Sequence, residues 1–185
     1  DSLIYVIAKA RAQADKLQGG VVGTVMTNLA MEIALKERGI DFVRAKVGDR
    51  YVLEQLYQRG WQVGGEASGH ILCMDKHNTG DGIISALQVF AALGELGVDL
   101  NSVLSDWQAY PQTMINVRIN KGHAWQSAAE PVLKQVEQEL GQQGRVVLRA
   151  SGTEPVVRVM VEAKDASVAK ASAEKIAAAI EASIH

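Results

Sequence analysis

The residues best suited to chemistry lie in two short segments, and the first reads Gly-Gly-Glu-Ala-Ser-Gly-His from Gly64 to His70. A carboxylate accepts hydrogen bonds from two neighbouring hydroxyl groups, so Glu66 can hold a vicinal diol, and Ser68 can donate or accept beside it. The glycines permit backbone conformations and close approaches that bulkier residues forbid. We expect Glu66 and Ser68 to bind sugar hydroxyls; the alternative is a tight turn with both side chains in solvent.

The second segment runs from Arg149 to Arg158, and these two arginines flank a loop. Their guanidinium groups each offer paired donors that can converge on one phosphate. Between them, Ser151 and Thr153 add hydroxyl groups, and Gly152 lets consecutive backbone amides point inward as an anion-binding nest. These five residues predict a phosphate site. The alternative is a hairpin turn with exposed arginines, because Ser-Gly-Thr is also favourable turn chemistry.

Three further features are weaker. Lys46, Asp49 and Arg50 surround a predicted helix start, where they can approach a phosphate or hydroxyl, with simple surface solvation as the alternative. Asp81 lies between two glycines as in an acidic metal loop, but a hard dication needs several oxygen ligands, so we predict a helix cap instead. We expect Glu154 to turn away from the phosphate or pair with an arginine.

Neither main segment supplies a nucleophile, general base or metal site, so we predict no catalytic residue and no metal ligand in this chain.

Composition narrows the possible partners. Nineteen basic and twenty-one acidic residues give a formal charge of -2, so no global field attracts nucleic acid or an anionic membrane. The longest apolar runs fall well short of the ~18 residues that a membrane span requires. Cys73 is the only cysteine, which excludes an internal disulfide and favours a reducing compartment. We therefore expect a cytoplasmic protein with a small-molecule partner.

Hydrophobic periodicity predicts two domains of different class. Strands alternate with helices through the first half, so residues 1–106 are expected to form a layered α/β domain. Within it, residues 42–47 alternate as a strand, and the helix after Asp81 carries Ile83, Leu87, Phe90 and Gly94 on one apolar face. Residues 107–111 read as a linker. The order β-α-β-β-α over residues 112–185 predicts a small α+β domain, a sheet covered by two helices.

The chain begins with Asp1 and enters a helical pattern of apolar residues almost at once. A natural N-terminus seldom enters a core helix so abruptly. We therefore expect a fragment of a longer protein or a trimmed chain.

Four stretches in register resemble the two C-terminal domains of the phosphohexose mutase superfamily. They are Gly-Thr-Val-Met at 23–26, Ala-Lys-Val-Gly-Asp-Arg-Tyr-Val at 45–52, Gly-Glu-Ala-Ser-Gly-His at 65–70, and the segment 149–162. Each is moderately specific alone, and their shared order and spacing cover essentially the whole chain.

The resemblance implies a four-domain enzyme that interconverts glucosamine 6-phosphate and glucosamine 1-phosphate, on the route to the nucleotide sugar used in cell-wall synthesis. It implies a phosphoserine and a magnesium loop in the first two domains, with glucosamine 1,6-bisphosphate as intermediate and activator. It gives Glu66 and Ser68 the sugar-hydroxyl role and places the Lys46 to Arg50 region facing the cleft. The phosphate role falls to Arg149, Ser151, Gly152, Thr153 and Arg158.

This chain would then be the substrate-binding half, partnered by the N-terminal domains it lacks and inactive alone. Two alternatives stay open. One is the corresponding part of a phosphomannomutase or phosphoglucomutase, which differs in the sugar it accepts. The other is a stand-alone phosphosugar-binding module with no catalytic parent.

Overall fold

The computed structural model describes residues 1–120, 124–152 and 154–184. These residues fall into two compact units, Asp1–Ala109 and Tyr110–His185. The stretch that the sequence indicates as a linker, 107–111, is divided between them. Trp107 belongs to the first unit, where its ring meets the edge of Tyr5 with 5.8 Å between the ring centroids.

The first unit alternates strands and helices around a four-stranded sheet. Its strands have the order β2-β1-β3-β4; β1 is parallel to β2 and β3, and β4 is antiparallel to β3. Burial of a parallel sheet on both faces explains why all four residues of β1 are buried. The elements are α1 (Ser2–Gln13), β1 (Val21–Thr24), α2 (Leu29–Lys36), β2 (Phe42–Ala45), α3 (Asp49–Arg59), β3 (Val63–Gly65), β4 (Ile71–Cys73), α4 (Gly82–Leu96) and α5 (Leu100–Leu104).

Strand β2 is shorter than its alternating pattern predicts. The pattern continues to Val47, but the strand ends at Ala45. Gly48 follows with φ 126° and caps α3, which begins at Asp49. The chain therefore leaves the sheet early because it must turn into the helix, and residues 46–48 form a loop instead of the end of a strand.

Helix α4 presents the opposite face to the core from the one its pattern suggests. The carboxylate of Asp81 caps the helix by accepting hydrogen bonds from the amides of Ile83 and Ile84 at 2.8 and 2.9 Å, as predicted. Ile83, Leu87 and Phe90 do share a face, but they are 75%, 59% and 70% exposed. The buried residues of α4 are Ser85, Val89 and Ala92.

The second unit is a three-stranded antiparallel sheet with two long helices. The strand order is β5-β7-β6, and apolar residues at alternate positions of β7 pack with residues of both helices in one core. The observed order β-α-β-β-α agrees with the predicted α+β class. The elements are β5 (Gln112–Arg118), α6 (Trp125–Leu140), a short 3-10 helix (Gly141–Gln143), β6 (Gly144–Ala150), β7 (Val156–Ala163) and α7 (Ala166–Ala182).

Among the described residues, no helix is both long and apolar enough to cross a membrane. Cys73 is buried in β4, and burial raises the pKa of its thiol. A protonated, enclosed thiol is a poor nucleophile, so Cys73 acts as a small apolar residue of the core.

Candidate functional site

The three parallel strands of the first unit end at the same edge of the sheet, and the first predicted segment begins there. Strand β1 ends at Thr24, β2 at Ala45 and β3 at Gly65. The chain passes from β2 to β3 across β1, so the strand order reverses direction at this point. Ligands of open α/β sheets bind outside the carboxyl ends of the strands at such a reversal.

Glu66 follows β3 directly and is held at this edge. Glu66 is buried, with only 8% of the residue exposed. The carboxylate oxygen Oε2 accepts a hydrogen bond from the backbone amide of Gly48 at 2.7 Å. Residues 66–69 close a turn, because the amide of Gly69 donates to the carbonyl oxygen of Glu66 at 3.0 Å. The carboxylate is thus fixed by the loop that follows another strand.

The glycines around Glu66 have two different roles. Gly64 and Gly65 lie in β3, where an added Cβ would come within 2.8 Å of the Val22 carbonyl oxygen and 2.4 Å of the His70 carbonyl oxygen, respectively. These two positions need glycine for close backbone packing. Gly69 instead has φ 107°, a conformation that side chains disfavour, and nothing lies within 4 Å of its Cβ position. Only Gly69 is required by the turn itself.

Ser68 and His70 project from the turn into solvent. Both residues are exposed, and the Ser68 hydroxyl oxygen lies 3.4 Å from Nδ1 of His70. At that distance the contact is weak. The serine hydroxyl therefore stands at the sheet edge, accessible to a ligand, beside a carboxylate that is nearly enclosed.

The basic residues of the 46–50 region are arranged on one aromatic ring. Nζ of Lys46 lies 5.7 Å, and the guanidinium carbon of Arg50 4.6 Å, from the centre of the Tyr51 ring. Arg50 also donates to the Tyr51 hydroxyl at 2.8 Å. Asp49 is the first residue of α3, and its carboxylate accepts from the amide of Arg50 at 2.7 Å. Lys46, Asp49 and Arg50 are exposed.

In the second unit, Arg149 of β6 and Arg158 of β7 lie directly opposite each other in the antiparallel ladder. Directly opposed residues share a face of the sheet and have Cβ atoms about 4.5–5.5 Å apart. Both alternate with the apolar residues that pack on the helices, so the two guanidinium groups start from the face away from α6 and α7. The ladder thus brings together the two arginines that the sequence singled out.

The loop between the arginines is stabilised as a hairpin turn. The amide of Ser151 donates to the carbonyl oxygen of Val156 at 2.9 Å, and the Ser151 hydroxyl accepts from the amide of Glu154 at 3.2 Å. Both amides are therefore occupied within the turn. Gly152 is exposed, with nothing within 4 Å of its Cβ position. Thr153, the remaining predicted phosphate ligand of this loop, lies outside the described residues.

The charges of the loop are only partly compensated. Nη2 of Arg158 lies 3.4 Å from Oε2 of Glu154, which is a long ion pair. Arg149 makes no ion pair within the described part of the chain. One mostly exposed carboxylate thus contacts one of the two opposed arginines.

Comparison with known proteins identifies the fold and its family. The phosphoglucomutase/phosphomannomutase alpha/beta/alpha domain III matches residues 1–110, and the C-terminal domain of the same family matches residues 114–179. The chain belongs to the phosphoglucomutase/phosphomannomutase family.

Curated members of this family resemble the chain closely over part of their length. It is 76% identical over 180 residues to the phosphoglucosamine mutase of Neisseria subflava, covering 97% of this chain and 40% of that protein. It is 65% identical over 181 residues to the phosphoglucosamine mutase of Chromobacterium violaceum, covering 98% of this chain and 40% of that protein. The chain spans about 40% of the length of these relatives.

Solved structures show the same fold at low sequence identity. Aspergillus fumigatus N-acetylphosphoglucosamine mutase in complex with GlcNAc-6P and magnesium has a TM-score of 0.76 at 21% identity, covering 97% of this chain and 46% of that one. A phosphoglucomutase/phosphomannomutase family protein from Burkholderia thailandensis has a TM-score of 0.71 at 16% identity, covering 98% of this chain and 41% of that one. The two-domain architecture is therefore that of the phosphoglucomutase/phosphomannomutase family.

Sequence reasoning assigned no role to two features of this family member's candidate site. Asn116 of β5 lies opposite Arg158 on the other side of β7, so it completes a polar row across the sheet. Thr24 and Thr27 are buried at the end of β1, where the Thr27 hydroxyl accepts from the Thr24 amide at 2.9 Å. Alternation along β5 could have indicated the face on which Asn116 lies. No local sequence pattern, however, predicts the register between β5 and β7 that puts Asn116 opposite Arg158.

The part of this family member that the structure describes shows no cluster of metal-binding side chains. Residues 1–120, 124–152 and 154–184 contain no group of three or more His, Cys, Asp or Glu side chains placed to hold an ion. The described side chains therefore do not form a protein-built cage that would hold a magnesium ion by themselves.

Proposed function

We propose that this chain forms the substrate-binding part of a phosphoglucosamine mutase, which interconverts glucosamine 6-phosphate and glucosamine 1-phosphate on the route to a cell-wall nucleotide sugar. Relatives with that name are 76% identical over nearly the whole chain. Both matched domains belong to the wider phosphoglucomutase/phosphomannomutase family, which is consistent with that assignment without selecting the sugar.

The opposed pair Arg149 and Arg158 is the observation that carries the proposal. Like charges directly opposite each other in a ladder destabilise a sheet. A phosphate dianion between them replaces that repulsion with charge-assisted hydrogen bonds from two guanidinium groups. Glu154 contacts only Arg158 and only at 3.4 Å, so the pair retains net positive charge for an anion.

The edge of the first unit supplies the complementary chemistry for a sugar. Glu66 accepts one hydrogen bond through Oε2, and its other oxygen, Oε1, has no hydrogen-bond partner among the described residues. The Ser68 hydroxyl is exposed beside it. A carboxylate oxygen and a hydroxyl at a strand-end crevice can hold two hydroxyl groups of a pyranose ring. Lys46, Asp49 and Arg50 are proposed as further residues of this sugar-binding edge.

In the proposed reaction, a phosphoserine of the preceding domains donates its phosphoryl group to the free oxygen of the phosphosugar. The resulting glucosamine 1,6-bisphosphate turns over and transfers its other phosphoryl group back to the serine, which leaves the isomeric monophosphate. One phosphate site must therefore accept either end of the sugar, which suits arginines that recognise phosphate without reading the carbon that bears it. Positioning supplies much of the rate of phosphoryl transfer, so these residues contribute without touching the transferred group.

Magnesium, when bound in such an enzyme, neutralises charge on the transferred phosphoryl group. Because the described residues offer no fitting donor set, we assign no step on this chain to it. The phosphoserine and the magnesium loop are proposed to belong to the preceding domains, so the chain alone is proposed to bind phosphosugar without turning it over.

Calorimetric titration of the chain with glucosamine 6-phosphate tests the proposal. Arg149→Ala removes one fork of the phosphate pair and should weaken binding about 10-fold or more, the size of a lost charge-assisted hydrogen bond. Arg59→Ala is the matched control, because it removes the same charge from α3 in the other unit. Equal affinities of wild type and Arg149→Ala would show that the phosphate role is wrong. Parallel titrations with glucose 6-phosphate and mannose 6-phosphate test the preference for the amino sugar.

A further inference from the structure

The hydrogen bond between Gly48 and Glu66 joins two loops that follow different strands. We propose that Gly48 is a positioning residue: its backbone amide holds Oε2 of Glu66 so that Oε1 is aimed at a sugar hydroxyl. This inference rests on the proposed function, because it names the group that orients the sugar-binding carboxylate.

The hydrogen bond between Gly48 and Glu66 crosses the carboxyl end of β1, a strand to which neither residue belongs. Glu66 follows β3 and Gly48 follows β2, and β1 lies between those two strands in the sheet. Strands two places apart are about 10 Å from each other. The 2.7 Å contact therefore requires the 46–48 loop and the Glu66 side chain to reach toward each other over the end of β1.

The amide of Gly48 is itself fixed by the helix that follows. The carbonyl oxygen of Gly48 accepts from the amides of Tyr51 and Val52 at 2.9 and 3.3 Å, which starts the first turn of α3. The positive end of that eleven-residue helix also favours a nearby carboxylate. Glu66 is thus restrained by a rigid donor instead of a mobile side chain.

The backbone conformation at residue 48 explains why a glycine provides this donor. Its φ of 126° and ψ of 128° lie where residues with a side chain are strained. An added Cβ would also lie 3.2 Å from Cδ2 of Tyr51, the ring on which Lys46 and Arg50 are arranged. A substitution here should move the amide and release Glu66.

The two carboxylate oxygens therefore have separate tasks. Oε2 is committed to Gly48, and Oε1 has no partner within residues 1–120, 124–152 and 154–184. With the carboxylate held through one oxygen, the direction of the other is set before a ligand arrives. Such preorganisation lowers the ordering cost of binding.

Gly48→Ala tests this role against Gly60→Ala, which also alters a glycine with positive φ but at the far end of α3, with nothing within 4 Å of its Cβ position. Titrations with glucosamine 6-phosphate and with inorganic phosphate separate the sugar from the phosphate contribution. We expect Gly48→Ala to lose about 10-fold in affinity for the phosphosugar and to leave phosphate affinity unchanged. Gly60→Ala should change neither.

Loss of both affinities together, or the same loss in Gly60→Ala, would overturn the positioning role. Should Gly48→Ala fail to fold, Glu66→Asp tests the hydrogen bond itself instead of the affinity, because a side chain one methylene shorter should not reach the Gly48 amide. Proton NMR adds a ligand-independent measurement: the Gly48 amide resonance should move upfield in Glu66→Asp. If wild type binds no phosphosugar, the proposed function fails; if it binds and Gly48→Ala matches it, only this inference fails.

Discussion

Charged side chains in this protein differ in how far neighbouring groups compensate their charge. Arg149 and Arg158 oppose each other, and only Arg158 contacts a carboxylate, at 3.4 Å, an arrangement that favours an added anion. Asp106 is instead surrounded by donors. Its Oδ2 accepts hydrogen bonds from the Tyr5 hydroxyl at 3.0 Å, from Lys9 at 2.5 Å and from Arg38 at 2.8 Å. The first arrangement fits a binding site, and the second fits a structural anchor that is already saturated.

Asp106→Asn should destabilise the chain in a pH-dependent way. Burial alone would raise the pKa of Asp106, but hydrogen bonds from Lys9 and Tyr5 and the charge of Arg38 together hold it below its usual value. A lowered folded-state pKa gives stability above the unfolded pKa, and that stability is lost as the pH falls through the folded value. We expect Asp106→Asn to lower the free energy of unfolding by about 1 kcal/mol at pH 7.

Urea unfolding at pH 7 and again below pH 4 measures this effect, and the gap between wild type and Asp106→Asn should narrow at the lower pH. Asp41→Asn is the control, because Asp41 is exposed and its carboxylate makes no ion pair within the described residues. A gap that stays constant with pH would show that the Asp106 charge contributes nothing to stability.

At the scale of elements, helix α4 shows what a hydrophobic pattern can and cannot decide. Its residues are apolar on more than one side, with Leu87 and Phe90 on one face and Val89 and Ala92 on another. Periodicity predicts the helix and its cap at Asp81, but it cannot say which face another element covers. In the structure α1 packs against the face with Val89 and Ala92.

Matched substitutions on the two faces of α4 measure that assignment. Val89→Ala removes two methyl groups from a site that is 7% exposed and should cost on the order of 1–2 kcal/mol of unfolding free energy. Leu87→Ala removes a larger side chain from the exposed face and should change stability by less than about 0.5 kcal/mol. Chemical denaturation of both variants gives the two values. A larger loss of unfolding free energy in Leu87→Ala than in Val89→Ala would contradict the assignment, because it would show that the face with Leu87 is the buried one.

The candidate site was predictable to the extent that it depends on local residue chemistry. Glycine spacing indicated the turn at Glu66, and the residues around Ser151 indicated a loop between two strands. The contact of Glu66 with Gly48 was not predictable, because it depends on strands β2 and β3 flanking β1 in the sheet. The opposition of Arg149 to Arg158 likewise depends on the register of β6 and β7. A one-residue slip in that register would pair each arginine with a different residue.

For the molecule as a whole, the two units have separate hydrophobic cores. In the first unit, α1 and α2 pack on the sheet, with residues such as Ile4, Met31 and Leu35 fully buried. In the second, strands β5 to β7 pack on α6 and α7 around Val159, Ile176 and other residues. A unit with its own core can in principle fold alone.

We therefore expect residues 110–185 expressed alone to fold and to retain phosphate binding. The sheet in this part contains both Arg149 and Arg158, and its three strands are covered by its own two helices. Circular dichroism should show one cooperative thermal transition, and calorimetry should show inorganic phosphate binding within about 3-fold of the full chain. Arg149→Ala within the isolated unit is the control and should weaken phosphate binding about 10-fold or more, as in the full chain. An isolated unit that folds but binds no phosphate would show that the opposed arginines are insufficient to form the site.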